Sequence, residues 1–430
     1  MKTVLEHQDT EDLLRQLKHS NSAFARRYPG ASAGRQPVHT VYGGAHLFKA
    51  DVCRKLGDRA LRDMETWAPD ADRFGDALGL SVHRETVFSR VRQKLEREPV
   101  EDYRIDFEDG YGIRADAEED GHAVAAADEV ASAVSRGLMP AFLGLRIKPL
   151  SEGLHRRSIR TLDLFCTALA EHTGSAFPRE LLVTLPKATG PEQVAVLAAM
   201  LERLEARTGA PAGSLKIEIM IEAPQVMLRI PELAEAAGGR CAAAHFGSYD
   251  FTASLGITAA YQQLSHPACD FARHLMKISL AGTGIRLSDG VTNILPIPPH
   301  RRRDGAPPLS ASEEEENRAA VHRGWRLHYD HVRRSLANGF YQSWDVHPAQ
   351  LPARYAAVYA FFLEGLEAAS VRLRNFLAEA AQATRVGTLF DDAATGHGLI
   401  NYFRQAVSCG AIPEQEISEL TSKWESLMQR

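Results

Sequence analysis

The chain has 430 residues, enough for one large α/β domain with additions or for two domains. Its net charge of −5 argues against a general nucleic-acid binder, which would need a basic surface. The five cysteines are widely spaced and form no CxxC pair, so we expect reduced thiols in a cytoplasmic protein and neither a disulfide framework nor a zinc site. The charged N-terminus and the lack of any run of about 18 apolar residues predict no signal peptide and no membrane span.

Eight candidate strands alternate with helical segments along the chain. They are residues 39–44, 103–112, 142–149, 181–187, 216–222, 241–246, 285–294 and 341–350. This alternation is typical of parallel βα units, and eight units predict a TIM barrel, a (β/α)8 fold of the α/β class with extra N-terminal and C-terminal helices. We expect a helical extension at 1–36, the barrel at 37–384, and a helical tail at 385–430 as a candidate lid.

The candidate strand 216–222, KIEIMIE, divides its side chains between two faces. Its three isoleucines share one face, and Glu218 and Glu222 share the other. A barrel strand that is covered by helices outside and lines the barrel inside has this division. Glu222 stands at the end of this strand, and Asp250 follows the end of the next. Two carboxylates on neighbouring strand ends favour an oxygen site for Mg²⁺ or Mn²⁺; the alternatives are a helix cap at Asp250 and a surface salt bridge at Glu222.

Other polar side chains also stand at predicted C-terminal strand ends, where a TIM barrel carries its chemistry. They are Asp106, Glu108, Arg146, Lys148, Lys187 and His347. The chain has no G-x-G-x-x-G after its first strand and no G-x-x-x-x-G-K-[ST], so a Rossmann or P-loop interpretation lacks its phosphate loop.

Six short motifs, in family order, resemble the citrate lyase β-subunit-like group of the HpcH/HpaI aldolase superfamily of phosphoenolpyruvate/pyruvate-type TIM barrels. They are DFED (106–109), LRIKPL (145–150), LPKATGPEQV (185–194), MIEAPQ (220–225), FGSYDFTASLG (246–256) and VHPAQLP (346–352). The resemblance implies a Mg²⁺-dependent lyase that acts on a small carboxylate and assembles as a homo-oligomer, a trimer or a hexamer.

The chain also departs from that pattern. VYGGAHLF replaces a V-P-G and following arginine that help hold coenzyme A in several relatives, and Lys148 stands where asparagine is common. A coenzyme A thioester substrate is therefore left open.

The resemblance implies that Glu222 and Asp250 are direct metal ligands, with waters and substrate oxygens completing the shell. It implies that Arg146 binds the substrate carboxylate or keto oxygen and stabilises an enolate. The alternative for Arg146 is a structural pair with an inward acid such as Glu218.

For the remaining candidates the resemblance implies supporting roles. Asp106 and Glu108 would orient a metal-bound water or Arg146. Lys187 would pair with these acids beside the substrate, because a Schiff-base lysine needs a depressed pKa that nearby carboxylates oppose. His347 would contact substrate or act as a structural hydrogen-bonding residue.

The general acid or base is sought in the C-terminal tail. Relatives bring a carboxylate over the barrel mouth from a C-terminal element, often of a neighbouring subunit. Asp391 and Asp392 are the candidates here, and a helix N-cap is their alternative.

Together these features predict a Mg²⁺-dependent carbon–carbon lyase or aldolase, acting on a β-hydroxy acid or its thioester through a metal-bound enolate. One alternative is a malate-synthase-like condensation of glyoxylate with acetyl-CoA, because GSYD and IEAP also resemble that enzyme. Another is a non-catalytic barrel scaffold. Both ligand positions, the arginine and the nearby acids are present, which weighs against the scaffold.

Overall fold

Eight parallel strands form a closed barrel in this computed structural model. The structure describes residues 4–5, 7–30, 34–302, 305, 307–378, 384–386, 389–391 and 393–416. The barrel strands are β1 (His39–Gly44), β2 (Asp102–Asp106), β3 (Phe142–Arg146), β4 (Leu181–Leu185), β5 (Leu215–Ile221), β6 (Cys241–Phe246), β7 (Arg286–Val291) and β8 (Gln342–Asp345). Spatial order follows chain order, and β8 closes on β1, so the predicted (β/α)8 fold with added helices is confirmed.

Helices surround the barrel and extend the chain at both ends. They are α1 (His7–Arg27), α2 (Val52–Trp67), α3 (Ala71–Leu78), α4 (Arg84–Arg97), α5 (Asp116–Ser135), α6 (His155–Thr173), α7 (Pro191–Thr208), α8 (Ile230–Ala236), α9 (Ser248–Ser254), α10 (Pro267–Leu280), α11 (Ala311–Ala337), α12 (Leu351–Ala378) and α13 (Ala393–Ser408). A short antiparallel hairpin, β9 (Thr384–Val386) and β10 (Leu389–Asp391), precedes α13. None of the helices described here combines the length and apolar character needed to cross a bilayer.

Several strands end earlier than the sequence predicts. The strand expected at 103–112 stops at Asp106, whose carboxylate accepts the backbone N–H groups of Glu108 at 2.9 Å and Gly110 at 2.7 Å. The strand expected at 341–350 stops at Asp345, and the His347 ring then accepts the N–H of Ala349 at 3.1 Å to cap a 3₁₀ turn. In both cases a side chain bonds the backbone that would otherwise continue the ladder.

The inner face of β5 meets a buried ionic cluster in the middle of the barrel. Glu218 pairs with Arg104 at 3.3 Å and accepts hydrogen bonds from the hydroxyls of Thr184 at 2.7 Å and Tyr42 at 3.0 Å. Burial alone would raise the pKa of Glu218, but the charge of Arg104 and these contacts lower it to about 2. Buried charges are tolerated only when paired and hydrogen-bonded in this way.

The described C-terminal helix α13 lies at the N-terminal ends of the barrel strands. Asn401 donates to the hydroxyl of Tyr341, just before β8, at 3.1 Å, and the backbone N–H of Gln36, just before β1, donates to Ser408 Oγ at 3.3 Å. The tail was expected as a candidate lid over the C-terminal ends. Helix α13 instead packs at the opposite end, because its apolar face is buried there against α12.

Candidate metal and substrate site

A cavity of about 410 Å³ opens at the C-terminal ends of the barrel strands. Glu222, Asp250 and Arg146 all line it. The three residues come from the ends of β5, the start of α9 and the end of β3, which the closed barrel brings to one mouth. Their meeting there follows from the parallel topology, since all C-terminal strand ends face the same way.

Glu222 and Asp250 differ in exposure. Glu222 directly follows β5 and is 3% exposed, whereas the Asp250 side chain, in the first turn of α9, is 43% exposed. Gly247 makes room for Glu222, because a Cβ at that position would collide with the Glu222 side chain. The two acids thus line the same cavity, with Glu222 buried and Asp250 exposed.

This donor set fits a hard divalent cation. Burial, followed by the charge of Asp250, raises the pKa of Glu222 to about 8. Among the described residues, no basic side chain lies within ion-pairing distance of Glu222. Nor does that part of the chain contain a cluster of three or more His, Cys, Asp or Glu side chains suited to a metal. A metal here would therefore have two protein carboxylates, the arrangement common for Mg²⁺, which keeps water and substrate oxygens as further ligands.

Lys187 connects the acids of β2 with those of β5 and α9. Its backbone has φ +50°, in the left-handed region that is uncommon for residues other than glycine, and its N–H donates to Glu222 at 2.5 Å. Its ammonium contacts Glu108, lies 3.2 Å from Asp109 and lies 3.9 Å from Asp250. Burial alone would lower the pKa of Lys187, but these three carboxylates raise it above its ordinary value. A neutral, Schiff-base-forming lysine is therefore disfavoured at this position.

Arg146 is held in one orientation by Asp106. The Nε and Nη2 atoms donate to the two carboxylate oxygens at 2.7 Å and 2.5 Å, and Nη1 lies 3.1 Å from a Glu108 oxygen. The guanidinium carbon lies 4.9 Å from the ring centroid of Tyr42 and 5.5 Å from that of Trp344. The partner of Arg146 is therefore Asp106, whereas the alternative acid, Glu218, pairs with Arg104.

The three acids of the DFED motif contribute differently. Each carboxylate oxygen of Asp106 accepts one hydrogen bond from Arg146 and one from a backbone N–H of the turn after β2. Glu108 lies between Arg146 and Lys187, and burial raises its pKa despite these two positive charges. Asp109, the third acid of the motif, is the one that lines the cavity.

The remaining predicted residues are placed away from the cavity or outside the description. His347 caps the 3₁₀ turn after β8 and is not among the cavity-lining residues. Asp392 and the side chain of Asp391 lie outside the described residues.

Three lining or neighbouring residues were not identified from the sequence. Tyr42 and Trp344 frame Arg146, and the Met220 sulfur lies 3.8 Å from Nη1. Strand parity gave a signal for Met220 alone, which shares a face of KIEIMIE with Glu218 and Glu222.

Solved structures with a similar fold come from citrate lyase-like proteins. A citrate lyase from Burkholderia xenovorans LB400 is 18% identical, with 91% of this chain and 97% of that chain covered and a TM-score of 0.59. The CitE protein of Mycobacterium tuberculosis, in complex with magnesium, acetoacetate and coenzyme A, is 16% identical, with 87% and 99% covered and a TM-score of 0.51. Both likenesses confirm the predicted resemblance at the level of the fold.

Comparison of the sequence with protein-family models identifies one family for this chain. No curated protein matches the chain. Residues 17–430 match a family described as "Domain of unknown function (DUF6986)", and because the match spans nearly the whole sequence, the chain belongs to that family.

Proposed function

We propose that this protein is a Mg²⁺- or Mn²⁺-dependent carbon–carbon lyase or aldolase that acts on a small hydroxy acid. The observation that carries the proposal is one cavity, at the C-terminal mouth of a TIM barrel, lined by Glu222 and Asp250 on one side and Arg146 on another. Glu222 and Asp250 would hold the metal, which when bound supplies positive charge to the substrate's oxygens.

The chain's own residues suit cleavage to an enolate. Arg146 cannot turn away from the cavity, because Asp106 fixes its Nε–Nη2 edge. Its Nη1 group would donate to the oxygen on which negative charge develops, a pre-organised donor of the kind that accelerates such reactions. The Glu108–Lys187 pair would close the rim beside it.

We propose a free acid in place of a coenzyme A thioester. A groove of about 970 Å³ adjoins the cavity, and it would be the path for a long thioester arm. Its described lining has two cations, Lys148 and Lys187, which pair with Glu119 at 2.9 Å and with Glu108, respectively. Neither is free to bind the phosphates of coenzyme A.

The test separates the three functions considered for this chain. Hydroxy acids are incubated with the protein and Mg²⁺, and release of the carboxylate and carbonyl products of cleavage is followed with and without chelator. The lyase requires metal-dependent release. A malate-synthase-like enzyme would instead liberate free thiol from acetyl-CoA and glyoxylate, and a scaffold would do neither and bind no Mg²⁺ by calorimetry.

Matched variants locate the activity. Asp250→Asn should abolish Mg²⁺ binding and turnover together, because it removes one of the two proposed carboxylate ligands. Asp330→Asn changes an acid of similar exposure on α11, paired with Arg326 at 2.9 Å, and should change neither. Full turnover by Asp250→Asn would refute the assigned site.

A further inference from the structure

We infer that the fragment that leaves as the carbonyl product is uncharged, so the substrate is a monocarboxylate. This inference rests on the proposed lyase function and names its substrate class. In the cleavage step the substrate hydroxyl gives its proton to water, and its oxygen becomes the carbonyl oxygen of the leaving fragment. The electron pair of the broken C–C bond remains on the carboxylate-bearing fragment as an enolate, which then takes up a proton at carbon from water.

The first observation is the charge of the cavity wall. Its described lining contains three carboxylates, Asp109, Glu222 and Asp250, and one cation, Arg146. A divalent metal would bring this set to neutrality. One substrate carboxylate could then be held by the metal and Arg146, but no other described residue of the lining carries a positive charge to balance a second.

The second observation is that the cations near the cavity already pair with carboxylates of the protein. Two of the three donor groups of Arg146 are bonded to Asp106, and the third lies beside Glu108. Lys187, outside this lining, contacts Glu108 and Asp109. A second substrate carboxylate would have to displace one of these existing pairs.

The third observation is the apolar part of the lining. Val291, Leu295 and Val346, from β7 and the segments after β7 and β8, present apolar side chains there. The polar side chains of the lining other than Arg146 and the three acids, Ser248 and Asn293 among them, are uncharged. Burying an unpaired carboxylate against such a wall is strongly unfavourable, whereas an alkyl group gains from the same burial.

The experiment compares two acids of equal length. Binding of 2-oxopentanoate and of 2-oxoglutarate is measured by calorimetry at saturating Mg²⁺, since the two differ only in a terminal methyl against a terminal carboxylate. We expect 2-oxopentanoate to bind at least about tenfold more tightly. Equal or tighter binding of 2-oxoglutarate would overturn the inference while leaving the lyase proposal standing.

A variant tests the cause. Leu295→Arg places a cation on the apolar wall and should bring 2-oxoglutarate to at least the affinity of 2-oxopentanoate. Leu228→Arg, at a position 81% exposed in the turn after β5 and outside the cavity lining, should leave the preference unchanged. If the wild-type protein binds neither acid, both the assigned site and the proposed function are overturned. An unchanged preference in folded Leu295→Arg, with its melting transition retained, would show that wall charge does not set the selectivity.

Discussion

At the scale of single residues, the site depends on how Arg146 is held. Its directly opposite partner in the β2–β3 pairing is Asp106, so the ion pair is a consequence of strand register. The planar guanidinium can bond Asp106 along one edge and still present Nη1 to the cavity, which an ammonium cannot do. Arginine at this position therefore both fixes the site and acts in it under the proposed function.

We predict that Arg146→Lys lowers the turnover number about 100-fold or more, comparable to the loss of an oxyanion donor. Mg²⁺ affinity should change little, because Glu222 and Asp250 are retained. Steady-state kinetics and calorimetry on the same preparation measure both.

The matched control is Arg354→Lys, since Arg354 makes a similar buried pair with Asp345 at 2.7 Å, outside the cavity lining. It should lose stability without the loss of turnover. Equal turnover losses in the two variants would show that Arg146 is only a structural partner of Asp106.

A second prediction concerns Gly247. A methyl group there would displace the Glu222 carboxylate, so Gly247→Ala should weaken Mg²⁺ binding roughly 10- to 100-fold, as disturbed ligand orientation does elsewhere. The φ of Gly247 is −95°, so alanine adds no backbone strain. Gly121→Ala, in α5 with open space around the new methyl, should bind Mg²⁺ normally. Calorimetry that finds equal affinities would exclude the proposed contact between Gly247 and the ligand.

At the scale of elements, strand parity made much of the site predictable. Alternation in KIEIMIE placed Glu218 and Glu222 on the inner face, and the parallel topology then placed strand ends together. The register between strands could not be predicted, because it depends on how the barrel closes. The sequence therefore left Arg146 between orientation by Asp106 or Glu108 and a structural pair with an inward acid such as Glu218, and the β2–β3 register places it opposite Asp106.

Strand ends were the other weak point of the sequence interpretation. Hydrophobic alternation continues past Asp106 in DFEDGY, yet the chain leaves the sheet there. The reason is local: the Asp106 carboxylate bonds backbone groups two and four residues ahead. Such side-chain competition with the ladder occurs where residues are committed to a site, and alternation alone does not report it.

The central ionic cluster gives a prediction for the strands it joins. Glu218→Gln leaves Arg104 without its full counter-charge, and the free energy of unfolding should fall by about 3 kcal/mol or more. Mg²⁺ affinity should be unaffected, because Glu222 is a separate residue at the mouth. Glu315→Gln, in the exposed pair with Arg318, should change stability little. Urea titration of the three proteins measures this, and a stable Glu218→Gln would show that the cluster contributes no net stability.

At the scale of the whole molecule, buried histidines make stability depend on pH. Burial lowers the pKa values of His245 and His331 to about 4 and lowers that of His328 as well. In the unfolded chain they titrate near 6.5. The unfolded state therefore takes up protons first as pH falls, so these histidines reduce stability below about pH 6.5 and have no such effect above it.

We predict that His245→Leu removes part of this pH dependence. The contribution of His245 between pH 7.5 and pH 5 should be about 2 kcal/mol, from one and a half pKa units at about 1.4 kcal/mol each. Denaturant unfolding of both proteins at the two pH values gives the difference directly. The raised pKa of Glu222 acts in the opposite direction but is present in both proteins and cancels. Parallel pH profiles would mean that His245 is as accessible to protons as in the unfolded chain.

The closure of β8 on β1 has a consequence for synthesis on the ribosome. His39 and Asp345, which meet at 2.7 Å where the barrel closes, lie 306 residues apart in the chain. At ordinary elongation rates, the ribosome completes β1 roughly 15 to 60 s before it completes β8, which pairs with the free edge of β1. During that interval the growing chain carries an open sheet edge, which other nascent chains can pair with. A translation product interrupted before β8 therefore has no way to close the barrel and retains that adhesive edge.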